Sequence, residues 1–134
     1  MARKRLPPHD PREWLNRARS NLIRAQHVRP DVYLEDLCFD AQQAAEKAIK
    51  SVFIHRGQSF PYIHDLANLL KRLQKTGVKI PKYVRTAHDL TPFAVEPRYP
   101  GLAGPVTRRE HRRLVRIADA IVRWATRLVE KPTP

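Results

Sequence analysis

Residues 31–57 have the sequence DVYLEDLCFDAQQAAEKAIKSVFIHRG, the longest segment of the chain with apolar residues at helical spacing. The apolar positions recur every three or four residues, which places them on one face of a helix that starts near Asp31. Gly57 is the residue type that commonly follows a helix C-terminus. Alanines at the centre allow a neighbouring helix to approach closely, so we predict that this helix is the middle of the core. Its apolar face comprises Tyr33, Leu34, Leu37, Ala41, Ala44, Ala45, Ala48, Ile49, Val52 and Phe53.

Further helices are predicted on both sides of this segment. Asp10, Pro11 and Glu13 are a cap residue, a first-turn proline and an acidic residue three positions after the cap. Thr107 and Glu110 have the spacing of a capping box before the last apolar run. No segment alternates with period two, so the predicted fold class is all-α, an up-and-down helical bundle of four to five helices. The five predicted helices cover about 11–28, 31–56, 64–76, 81–91 and 107–130.

The predicted domain organisation is a single bundle between two short tails. Residues 1–9 are basic, contain two prolines and lack periodicity, so we expect a disordered basic arm. Residues 10–130 form the bundle, and residues 131–134 form a flexible tail. Neither a secretory signal nor an apolar run of about 20 residues is visible, which favours a soluble cytoplasmic protein with no membrane contact.

The chain is strongly basic, with a net charge of +13 and 26 basic against 13 acidic residues. Such a surface attracts polyanions, and the attraction weakens with salt. Eighteen of the basic residues are arginine. GC-rich coding also enriches arginine, and that explanation requires no ligand.

The arginines of the last predicted helix fall on one side of it. At about 100° per residue, with Leu114 at 0°, they lie between about 160° and 220°. This basic stripe comprises Arg109, Arg112, Arg116, Arg123 and Arg127. The pattern fits a solvated helix face, and it also fits a track for phosphates or for an acidic partner. Val115, Val122 and Trp124 widen the apolar arc, which suggests a second packing surface such as a dimer interface.

Sequence signals for metal or cofactor chemistry are missing. The six histidines form no HExxH motif, and the single cysteine, Cys38, excludes a paired CxxC motif. Cys38 lies in an apolar stretch and is interpreted as a buried small hydrophobe. We therefore predict no metal site, no cofactor and no catalytic residue of these kinds.

Three stretches, in order along the chain, together resemble the HEPN family. The segment 40–50, DAQQAAEKAIK, is similar to the family's QQAAEKALK signature. Phe60 with His64, Asp65 and Leu66 is similar to its F-x-x-x-H-D-L motif, and residues 98–100 read RYP as in the family. The resemblance covers about residues 10–130.

The resemblance implies an α-helical bundle that is often a homodimer and is often encoded beside a minimal nucleotidyltransferase in toxin–antitoxin modules. It also implies a possible metal-independent ribonuclease, whose site uses an Arg, four to six further residues and a His. This chain departs from that spacing, because the next histidine after Arg98 is His111. Without this proton carrier, an enzymatic role is disfavoured.

The motif residues nevertheless suggest a binding site. Arg98 and Tyr99 precede a helix N-terminus and could form an anion pocket, with Tyr99 stacking on a base. Lys47 and His64 would complete a cationic rim. The candidate supporting residues are Glu46, Gln43 and Asp65. Structural alternatives remain open: Glu46 pairs with Arg98 or Lys47, His64 caps the third helix, and the glutamines fill the helix surface.

The functional prediction is a HEPN-like binding module for nucleotide or RNA that also binds a nucleotidyltransferase-domain protein. A metal-independent ribonuclease with a non-standard site is the second hypothesis. A purely structural protein-interaction bundle is the third.

Overall fold

The computed structural model describes residues 4–94 and 105–130. The α-helices in this part are α1 (Pro11–Gln26), α2 (Leu34–His55), α3 (Leu66–Lys75), α4 (Lys82–Arg85) and α5 (Arg108–Glu130). A 3₁₀ helix, Thr86–Phe93, continues directly from α4. The described ranges contain no strand, so the predicted all-α helical bundle is confirmed.

The predicted helix starts at Asp10 and Thr107 are confirmed by hydrogen bonds, and Asp65 is also a cap. Asp10 accepts from the Arg12 backbone N–H at 2.9 Å, and Asp65 accepts from the Asn68 N–H at 3.1 Å. The Thr107 hydroxyl oxygen accepts from the Glu110 N–H at 3.1 Å. Each bond satisfies a donor that the first turn leaves without a helical partner. Asp65 is therefore the cap of α3, and the alternative that His64 caps this helix is wrong.

Two boundaries differ from the predictions. The backbone N–H of Val32 donates to the Arg29 carbonyl oxygen at 3.2 Å, in a turn that has Pro30 at its second position. Because of this turn, α2 begins at Leu34 rather than near Asp31, and Tyr33 is 77% exposed rather than buried. In the fourth helical segment, Pro92 lies inside the 3₁₀ helix instead of after the helix.

Helices α1, α2 and α5 pack against each other and form the centre of the molecule. The four central alanines of α2 (Ala41, Ala44, Ala45 and Ala48) are fully buried, so α2 is the middle of the core as predicted. At one end of the bundle, the His111 ring bonds the Ala25 carbonyl oxygen, and Glu35 accepts from the Val106 N–H. These contacts place α1 antiparallel to both α2 and α5.

The wide apolar arc of α5 is covered by other helices of the same chain. Val122 and Trp124 are each only 4% exposed, and Val115 is half-buried. Helix α1 packs against α5, as do α4 and the 3₁₀ helix, and together they account for a wide apolar arc. Val122 and Trp124 therefore pack within the chain, and the expectation that these two residues form a dimer interface is wrong.

The N-terminal segment contacts α1. The Leu6 N–H donates to Glu13 Oε1 at 3.0 Å, and Trp14 Nε1 donates to the Pro8 carbonyl oxygen at 2.8 Å. The hydrogen bond from Leu6 lowers the pKa of Glu13, and Arg17 lowers it further. Together they outweigh desolvation, so this pKa lies below its ordinary value. Residues 6–8 therefore lie beside the first turns of α1.

Candidate functional site

The predicted site residues divide into those the structure describes and those it does not. Arg98 and Tyr99 lie outside the described residues. Gln43, Glu46 and Lys47 lie on α2, while His64 and Asp65 precede α3.

Glu46 is the centre of a buried polar network and is only 5% exposed. Its Oε1 accepts from Gln42 Nε2 at 3.0 Å and from His64 Nδ1 at 2.9 Å. Its Oε2 accepts from Lys50 Nζ at 2.9 Å. Burial alone would raise the pKa of Glu46, but these three hydrogen bonds and the Lys50 charge outweigh it, so the pKa lies below its ordinary value. Gln43 extends the network, because its Nε2 donates to Gln42 Oε1 at 2.8 Å.

The bond to Glu46 determines which nitrogen of His64 carries a hydrogen. An ionised carboxylate only accepts hydrogen bonds, so Nδ1 of His64 must be the donor. The other ring nitrogen, Nε2, has no hydrogen-bond partner among residues 4–94 and 105–130. Since the side chain is 60% exposed, Nε2 is available to a ligand.

Lys47 belongs to a second network, between α1 and α2. Its Nζ donates to Asn21 Oδ1 at 2.7 Å, and Asn21 Nδ2 donates to Asp40 Oδ1 at 3.0 Å. Arg24 lies 3.5 Å from the second carboxylate oxygen of Asp40. Burial, reinforced by the nearby Arg17, lowers the pKa of Lys47. The alternative that Glu46 pairs with Lys47 is wrong, because Lys50 and His64 are its partners.

An aromatic cluster adjoins the Glu46 network. The Phe60 ring packs edge-on against Trp14, with centroids 5.1 Å apart, and against Tyr62, with centroids 5.9 Å apart. Lys50 Nζ lies 4.9 Å from the centroid of the Phe60 ring. Neither Lys50 nor Tyr62 was predicted from the sequence as a site residue. The spacing of Glu46 and Lys50, four residues apart on a helix, was the signal that could have revealed their ion pair.

The basic stripe of α5 is exposed along its whole length. Toward the C-terminus its arginines have partners: Arg123 pairs with Asp119 at 3.0 Å, and Arg127 donates to the Tyr83 hydroxyl oxygen at 2.7 Å. Toward the N-terminus the stripe differs. Within the part of the chain that the structure describes, no side-chain hydrogen bond or ion pair involves its N-terminal arginines, which are Arg109, Arg112 and Arg116.

Comparisons with known proteins identify the family. The HEPN domain family model matches residues 11–128. The chain belongs to the HEPN domain family. Its fold is similar to that of TT1696 from Thermus thermophilus, which is 33% identical in sequence with a TM-score of 0.74. The match covers 90% of this chain and 98% of TT1696. The comparison with curated proteins found no match.

A groove in this HEPN domain continues the N-terminal part of the stripe toward α1. Its volume is about 450 Å³, and its walls include Arg112 and Arg116 from α5 and Val28 from the segment after α1. Val28 is 40% exposed, and the half-buried Val115 also lines the groove. Cationic and apolar groups thus lie side by side at the end of the HEPN bundle where the C-terminus of α1 meets the N-terminus of α5.

The described ranges of this HEPN domain lack the features of a metal site, a reactive thiol or a membrane-spanning helix. No three His, Cys, Asp or Glu side chains in these ranges are grouped closely enough to hold a metal ion. Cys38 is fully buried, and burial raises the pKa of its thiol to about 12. None of the described helices is long and apolar enough to span a bilayer.

Proposed function

We propose that this HEPN domain is a binding module for RNA and that Arg109, Arg112 and Arg116 contact the phosphates. The observation that carries the proposal is the difference between the two halves of the basic stripe. Some arginines elsewhere are neutralised by a carboxylate, as Arg113 is by Asp89 at 2.8 Å and Arg19 is by Glu130 at 3.1 Å. The N-terminal arginines of the stripe lack such a partner among the described residues, so their charge is available.

The geometry of the stripe suits a polyanion better than a single phosphate. Arg109 and Arg116 are seven residues apart on one helix, which corresponds to about 10 Å. At about 3.4 Å of helix axis per phosphate of one strand, that length covers about three phosphate spacings. Guanidinium groups bind phosphate oxygens in a bidentate manner, and an arginine without a carboxylate partner has no ion pair to break first.

The test compares two triple variants in binding to a single-stranded RNA at low salt. Both remove three positive charges, but from different helices. We expect the stripe variant to weaken binding much more than the α3 variant, and the RNA to be recovered intact. Equal losses would overturn the proposal, because they would show attraction to net charge alone. The stripe variant is Arg109→Gln, Arg112→Gln and Arg116→Gln, and the α3 variant is Lys71→Gln, Arg72→Gln and Lys75→Gln.

We also propose that the domain acts in the cytoplasm as a homodimer and binds a nucleotidyltransferase-domain protein in a toxin–antitoxin-like pair. Membership of the HEPN family supports this proposal. Co-expression with the neighbouring gene, followed by a pull-down and a growth assay, tests the pairing. Light scattering tests the dimer. A monomer that retains no neighbouring gene product would contradict both parts.

A further inference from the structure

Tyr62 is a large aromatic side chain that the fold leaves in solvent. It is 93% exposed, the highest value among the exposed large hydrophobic residues of the described chain. Its ring neighbour in the described ranges is Phe60, in an edge-to-face contact, so packing of the bundle does not explain an aromatic residue at this position.

The loop that carries Tyr62 is held on both sides. Two residues before it, Phe60 is held by contacts with Trp14 and with the ammonium group of Lys50. Two residues after it, His64 is fixed by its bond to Glu46. Tyr62 therefore stands between two anchored residues, and its ring is displayed on a preorganised segment.

His64 carries a polar group two residues after Tyr62 in the chain. Two residues along an extended chain span at most about 7 Å, so the two side chains start from closely spaced backbone atoms. Nε2 of His64 is the ring atom left available by the bond to Glu46, and the imidazole is 60% exposed. This short segment thus carries both an exposed aromatic ring and an exposed nitrogen, which accepts a hydrogen bond in the neutral ring and donates one in the protonated ring.

We propose that Tyr62 and His64 form a subsite for one unpaired nucleobase of the bound RNA, with the base stacked on the Tyr62 ring and contacted by His64 Nε2. This deepens the proposed RNA-binding function and rests on it. Unpaired bases stack on exposed aromatic rings with little regard to sequence, while paired bases cannot reach such a ring. The net charge of +13 favours a polyanionic ligand for the chain as a whole.

The experiment measures the affinity of the full chain for a single-stranded and a double-stranded RNA of equal length. We expect Tyr62→Ala to weaken single-strand binding about tenfold and to leave duplex binding unchanged. Tyr62→Phe should retain the affinity, because the ring face remains. Tyr33→Ala is the matched control, since Tyr33 is also exposed but has no ring neighbour among the described residues, and it should bind like the unmodified chain. Because Tyr62 is so exposed, circular dichroism should show an intact fold in every variant.

A second measurement follows the His64 ring by NMR while adenosine 5′-monophosphate is added. The shifts of His64 Nε2 should change in the unmodified chain and should not change after Tyr62→Ala. Unchanged single-strand affinity for Tyr62→Ala, or equal losses for single-strand and duplex RNA, would overturn the subsite. So would a loss of self-association without a loss of RNA binding, which would assign Tyr62 to a protein interface.

Failure of the subsite is distinguishable from failure of the proposed function. Stacking involves no counterion release, so Tyr62→Ala should lower the affinity without changing its salt dependence. The stripe variant should change the salt dependence. A normal stripe effect without a Tyr62 effect rejects only the subsite.

Discussion

Replacing Glu46 with glutamine is expected to lower the free energy of unfolding by about 3 kcal/mol. Glutamine has the same shape but is uncharged and has one acceptor oxygen, so it cannot accept from Lys50 as well as from Gln42 and His64. Lys50, whose side chain is only 8% exposed, would then lose its carboxylate partner. Removing one partner of a buried ion pair costs about 3–5 kcal/mol. The lower end applies here because the ammonium group keeps its contact with the Phe60 ring.

The assay is urea denaturation at neutral pH, followed by circular dichroism. For a chain of this size, the expected loss corresponds to a fall in Tm of about 10 °C. Glu130→Gln is the matched control: its ion pair with Arg19 is at the surface, with the Glu130 side chain 42% exposed, and should contribute less than about 1 kcal/mol. If Glu46→Gln costs no more than this control, the reasoning about the buried network is refuted.

Three further predictions concern Asp10, Cys38 and Ala45. The hydrogen bonds from Arg12 lower the pKa of Asp10 from 3.8 to about 2, so its stabilisation is present above the ordinary value and is lost as the pH falls to about 2. The Asp10→Asn variant keeps the cap. The Tm of the unmodified chain should therefore exceed that of Asp10→Asn by less in acid than at neutral pH, and a constant difference would contradict this. Because burial raises the Cys38 pKa to about 12, the thiol of the native protein should react very slowly with a disulfide reagent at about pH 8. In denaturant it should react fully. A fast reaction of the native protein would contradict the burial of Cys38. Ala45→Leu should lower the free energy of unfolding by about 1–3 kcal/mol in urea denaturation, because it overpacks the core. Ala67→Leu, at an exposed position, should lower it little. Equal effects would contradict a close approach of helices at α2.

The helices could be predicted because their signals are local. Asp10, Asp65 and Thr107 lie within three residues of the backbone donors that they cap, and the alanine face of α2 is periodic over its whole length. Helix α2 starts later than predicted because the residues around Pro30 form a turn instead of the first helical turn. Caps and periodicity thus establish the existence and type of a helix better than its first residue.

The partners of the candidate site could be predicted only in part, because they depend on tertiary packing. Glu46 and His64 are 18 residues apart, and nothing local to either one specifies their contact. Lys47 is adjacent to Glu46 in sequence but points about 100° away around the helix, so it bonds Asn21 while Lys50 bonds Glu46. Likewise, the burial of Trp124 depends on the elements that pack beside α5.

The salt dependence of RNA binding tests the central claim most directly. For single-stranded RNA, each neutralised phosphate contributes about −0.7 to the slope of log affinity against log salt concentration. If Arg109, Arg112 and Arg116 each neutralise one phosphate, the unmodified chain should have a slope of about −2 or steeper. Replacing all three with glutamine should make the slope shallower by about 2. A flat slope for the unmodified chain, or an identical slope for the stripe variant, would contradict the claim that these arginines bind RNA.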